Sequence, residues 1–148
     1  MRVGSVGALA FAAAAMLASS AAHSGDAAKP VLLRQGEEGV FPISIADGRV
    51  VVGAPLIGKQ GLAHPKDGEL VVGIIRGEKN AAYSMVVFEA KTTAPIDLVA
   101  TGFVGSIKID ELFLCGRADG TATHRIGAAS WRIGIGGFEV HREGAGCL

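Results

Sequence analysis

The residues of this chain best suited to chemistry are two cysteines, Cys115 and Cys147, and the histidines His64, His124 and His141. Nucleophilic catalysis needs a Ser or Cys within hydrogen-bond reach of a base that a third group orients. No Gly-x-Ser-x-Gly run is present and the three histidines stand in unrelated contexts, so their spacing assembles no such site. Asp110 and Glu111 are adjacent carboxylates, but neighbours on a strand point to opposite faces, and a solvated strand end is the plainer expectation than an acid–base pair. Gly134-x-Gly136-Gly137 resembles part of a phosphate-binding loop yet lacks the helix that should follow it. In a strand such glycines permit a bulge or the close approach of another backbone. The sequence points away from an enzyme, and no cofactor is expected.

Binding chemistry is concentrated in residues 57–68, IGKQGLAHPKDG, which have glycines, a proline and no period. Loops of this length often carry recognition, and Lys59, His64 and Lys66 are its candidate binding residues. The plain alternative is a mobile connection between two sheets.

Whether the cysteines pair depends on compartment. The N-terminus carries Arg2, an apolar run from about Val6 to Ala18 and then small residues, the pattern of a cleaved signal peptide and too short a run for a membrane anchor. Cleavage after Ala22, as Ser20-Ala21-Ala22 suggests, leaves 126 of the 148 residues, with 13 basic against 14 acidic side chains once Arg2 is lost. Near-neutral charge without a Lys/Arg cluster excludes partners held mainly by charge, nucleic acid and anionic membranes among them. In the periplasm or outside the cell, Cys115 and Cys147 are expected to form a disulfide. The bridge closes 32 positions, worth at most about 3.7 kcal/mol in the chain-entropy account. The alternative is a pair of free thiols. Cleavage after Ser20 would instead expose Ala21-Ala22-His23, a nitrogen set suited to square-planar Cu(II) or Ni(II). Cleavage after Ala22 removes that set, and no metal is expected.

The elements that must position these residues are strands. Residues 23–39 form an exposed lead-in, in which Val31-Leu32-Leu33 can add an edge strand, and a domain spans 40–148. Phe41, Ile43 and Ile45 alternate, Asp47-Gly48 supplies a two-residue hairpin turn, and Val50 to Val52 return. Pro42 lacks a ladder donor, which places its strand on an edge. Glu69 to Arg76 and Ala81 to Ala90 follow, with Ser84, Val86, Phe88 and Ala90 on one face of a central strand. Ile96, Leu98 and Ala100 alternate; Val104-Gly105 reverses the chain; and the alternation slips near Asp110-Glu111, predicting a β-bulge. A strand ending in Cys115, a turn at Gly116 to Gly120, a polar strand to Ile126, and a last strand after Trp131 complete the chain.

Short strands at near-regular spacing, with no amphipathic helix, predict an all-β antiparallel β-sandwich, or a small barrel, with an immunoglobulin-like arrangement preferred. The run Phe88 to Pro95, Cys115, Trp131 ahead of Ile135-Gly136-Gly137-Phe138-Glu139, and Cys147 together resemble small exported bacterial proteins with an immunoglobulin-like β-sandwich domain. Such proteins have no assigned activity, so the resemblance implies compartment and fold only. The spacing of Cys115 and Cys147 departs from the usual inter-sheet pair. The functional expectation is a non-catalytic exported domain binding a protein or envelope component by strand-edge pairing or by the 57–68 loop. The alternatives are a periplasmic copper or nickel binder, or a small hydrolase using surface histidines.

Overall fold

A computed structural model describes residues 29–79, 82–127 and 132–144. The signal peptide, His23, Trp131 and Cys147 lie outside the described residues, so the expectations that fall on them are not addressed by the fold. Ten strands are described: β1 (Val31–Arg34), β2 (Glu37–Ala46), β3 (Arg49–Val52), β4 (Leu56–Lys59), β5 (Glu69–Arg76), β6 (Tyr83–Lys91), β7 (Ile96–Val104), β8 (Ile107–Leu114), β9 (Asp119–Gly127) and β10 (Arg132–Val140). They form two antiparallel sheets packed as a sandwich, one ordered β1-β10-β7-β8 and the other β3-β2-β5-β6-β9, with β4 also paired to β2. In an immunoglobulin order the first strand pairs with the second; here β1 lies beside β10.

Alternation on each strand builds the core. Leu33, Ile96, Leu98, Ala100, Leu114, Ile133 and Ile135 face inward from the smaller sheet, against Phe41, Leu70, Val72, Ile74, Val86, Phe88 and Ile126 from the larger. Ser84, Val86, Phe88 and Ala90 are all buried on β6, which lies between β5 and β9. The Asp47-Gly48 hairpin forms as expected, with both residues at positive φ between Ala46 and Arg49.

The edge strand expected at Val31-Leu32-Leu33 forms as β1 beside β10, and its Leu33 is fully buried. Two expectations are corrected. Pro42 does not put β2 on an edge: β2 pairs β5 on one side and both β4 and β3 on the other. The Ile43 N–H donates to Gly68 O on the β5 side, whereas Pro42 O accepts from Gly53 N on the opposite side. The missing Pro42 donor therefore faces the gap where β4 ends and β3 begins, and the ladder loses nothing there. Part of the 57–68 segment is strand, because Leu56–Lys59 pairs with β2. The slip expected near Asp110-Glu111 is present as a β-bulge at Ile109, between the pairs Phe103↔Lys108 and Gly102↔Asp110.

The glycine-rich last strand behaves as a strand. Its register shifts between Gly136 and Glu139, and Gly137 sits there at φ +60°, where a Cβ would come within 2.8 Å of Val99.

Candidate functional site

Residues 60–68 cross the outer face of the larger sheet, and one carboxylate fixes the crossing. Alternation that sends Phe41 and Ile43 to the core sends Glu38 outward, yet Glu38 is only 4% exposed because the chain after β4 folds over it. Its Oε2 accepts the Gly61 N–H at 2.7 Å, and its Oε1 accepts those of Leu62 and Ala63 at 3.1 and 2.6 Å. Three successive backbone donors on one carboxylate hold the chain without regular structure, each bond being of the strong, charge-assisted kind. Val71, on the outer parity of β5, is buried as well.

The far end of the crossing is tied by charge. His64 Nδ1 lies 3.7 Å from Glu89 on β6, the Lys66 N–H donates to Glu69, and Lys91 pairs with Asp67 at 2.8 Å. The Asp67 carboxylate, by hydrogen bond and by charge, raises the Lys91 ammonium pKa above its ordinary 10.5. The three candidate residues thus belong to one ridge but play separate parts: Lys59 ends β4, His64 rests against Glu89 and Lys66 bonds through its backbone.

What the ridge displays is apolar. Leu56 and Leu62 are 73% and 74% exposed, and Ile57 is also exposed. With Val40 and the aliphatic part of Lys59 they line a groove of about 230 Å³ floored by Glu38. Sequence reasoning placed candidate binding residues in this segment but did not single out Glu38.

A second cluster lies on the outer face of the smaller sheet. Asp97 on β7 stands opposite Glu139 on β10, and Leu98↔Leu114 places Cys115 one step beyond on the β8 side. His141 follows two residues after Glu139, with its N–H on Pro95 O. His141 Nδ1 lies 3.0 and 2.9 Å from the two Asp97 oxygens, and the Gly116 N–H donates to Asp97 Oδ1 at 3.2 Å. One ligand atom from each of Asp97, Cys115 and His141 falls within 4.8 Å of the others.

The three described histidines do not converge. His64 meets Glu89, His124 stacks on Phe88 with ring centroids 6.0 Å apart, and His141 meets Asp97. Asp110 and Glu111 likewise serve different partners, Asp110 accepting the Gly127 N–H of β9 and Glu111 pairing with Lys108. Among the described residues no helix is long and apolar enough to cross a membrane.

No family model matches the chain, and no curated protein or solved structure matches it either.

Proposed function

We propose that the protein is an exported, non-catalytic binding module whose recognition surface is β4 with the ridge of residues 60–68, and that it takes an extended apolar segment of an envelope protein as an added strand. The observation that carries this reading is Glu38. A buried carboxylate committed to three backbone donors fixes a surface loop whose one large apolar side chain, Leu62, stands out in solvent. Ordering a ridge in advance lowers the entropic cost of association, which suits a recognition surface. Among the described residues β2 is the only strand paired with β4, so a peptide backbone can pair along the other edge. The groove between Leu56 and Leu62 then takes one of its apolar side chains. The near-neutral charge fits a partner recognised by shape and apolar contact rather than by charge.

In this reading the fold works in the periplasm or outside the cell, and a Cys115–Cys147 disulfide clasps the chain end to the strand that ends at Leu114. Protein from an oxidising compartment is then about two mass units lighter than its reduced form, the two hydrogens lost on pairing.

The test of recognition is capture from envelope extract by the mature domain, beside a Leu56→Asp/Leu62→Asp variant. Both positions are exposed, so the variant should keep the circular dichroism and melting of the parent. A protein retained by the parent and lost from the variant is the expected result; identical capture by the two overturns the reading.

A further inference from the structure

We propose that Asp97, Cys115 and His141 form a zinc site that becomes available when the Cys115 disulfide is reduced. The inference goes beyond the binding function and rests on the disulfide reading alone. Its ligands come from three neighbouring segments that the sheet brings into register: Asp97 near the start of β7, Cys115 just after β8, and His141 just after β10.

The donor set and its spacing both fit. Zinc takes thiolate, imidazole and carboxylate at about 2.3, 2.0 and 2.1 Å, so a tetrahedral ion needs its ligand atoms about 3.3 to 3.6 Å apart. The three atoms already lie within 4.8 Å of one another, and the His141–Asp97 contact at 2.9 Å has only to widen slightly. Asp97 is held by the Gly116 N–H, the kind of outer hydrogen bond that orients a metal-binding carboxylate. A cavity of about 280 Å³ lined by Asp97, Phe113, Cys115 and Glu139 leaves space for a fourth ligand, a water or the Glu139 carboxylate. The sulfur selects zinc over magnesium and calcium, and the carboxylate disfavours copper(I).

Cys115 is engaged in a contact of its own, so its sulfur has first to be released. A dithiol does this by two-electron exchange: it is oxidised to its own disulfide, the S–S bond of the protein breaks, and its two protons end on Cys115 and Cys147. Zinc binding then displaces the Cys115 proton to solvent and leaves the thiolate on the metal. A small disulfide ejects the ion: it is reduced to two thiols, taking one proton from Cys147 and one from solvent, while the Cys115–Cys147 bond re-forms and Zn²⁺ leaves.

The experiment measures Zn²⁺ affinity by competition with a coloured chelator, using oxidised protein, protein reduced by a dithiol and freed of it without oxygen, and Cys147→Ser. Reduced protein and Cys147→Ser should bind one Zn²⁺ per chain, about a hundredfold or more tighter than oxidised protein, and Asp97→Asn or His141→Gln placed in Cys147→Ser should weaken binding about tenfold or more. A thiolate-to-metal ultraviolet band on loading Cys147→Ser with Cd²⁺ reports sulfur ligation directly, and far-ultraviolet circular dichroism confirms that each variant is folded. If Cys147→Ser binds no tighter than Cys115→Ser/Cys147→Ser, the zinc site is overturned. If native oxidised protein already has two alkylatable thiols, the disulfide and the redox gate are overturned. Failure of the envelope-capture test bears on neither result.

Discussion

At the scale of single residues, two carboxylates do more than their neighbours in sequence suggest. Replacing Glu38 with Gln keeps its size but halves its accepting oxygens and aims an amide N–H at backbone donors. We expect a loss of about 2 kcal/mol, the order found when hydrogen bonds to a charged group are broken, read by urea denaturation. Amide exchange at Gly61, Leu62 and Ala63 should accelerate while the amides of β6 keep their protection. Asp67 acts more weakly, from an exposed position. Because it raises the Lys91 pKa, its contribution is fully present below 10.5 and is lost as pH climbs through the higher folded value. Between neutral pH and 10.5 the urea midpoint of the parent should therefore exceed that of Asp67→Asn by a small margin that salt erases, and the margin should close at higher pH. Neither role was legible beforehand. Glu38 lies on the outward parity of a strand, where exposure is the ordinary expectation, and only the chain folding over that face buries it. The Asp97–His141 contact spans 44 positions and exists because β7 and β10 happen to be register partners.

At the scale of elements, alternation carried most of the reading. The inward series on β6 and β7 and the Asp47-Gly48 hairpin were visible as period-two patterns with turn chemistry between them. Pro42 misled because the rule about prolines and edges concerns a missing donor, and a donor can be spared inside a sheet where two short strands share one side of a longer one. β4 escaped because its four residues, two apolar followed by a glycine and a lysine, present no alternation, and their pairing is set by β2. The turn after β8 shows how tightly elements can constrain a connection. A Cβ on Gly116 would collide with the carbonyl oxygen of Ile96, a backbone atom that cannot move aside without shifting the start of β7. Gly116→Ala should therefore destabilise by about 3 kcal/mol or more, at the severe end for single substitutions, or fail to accumulate as folded protein. The measurement is the chemical denaturation midpoint beside that of Gly58→Ala, where a Cβ meets nothing within 4 Å.

For the whole molecule, the apolar filling between the sheets sets stability. Phe41 and Phe88 are the largest side chains fully enclosed there, and Phe88→Ala should cost about 3 to 5 kcal/mol, by lost transfer energy and by the cavity left behind, measured by urea denaturation. Two packed antiparallel sheets could be foreseen from strand number and patterning, whereas the strand order could not. Sequence patterning reports which face a residue takes on its own strand, and it is silent on which distant strand lies alongside. The pairing of Val31 with Ile135 left no local trace.

That pairing governs how the fold can be reached. β10, the last strand described, lies between β1 and β7, so it enters the middle of its sheet rather than adding to an edge. While the chain is being made, β7 and β8 can join as a local hairpin, but β1 waits for β10, its one partner in that sheet among the described residues. Closing so long a loop belongs to the slow regime of β-rich folding, milliseconds to seconds or more. A chain arrested after Gly127 should hold β1 exposed to proteases, and supplying residues 128–148 as a separate peptide should protect it.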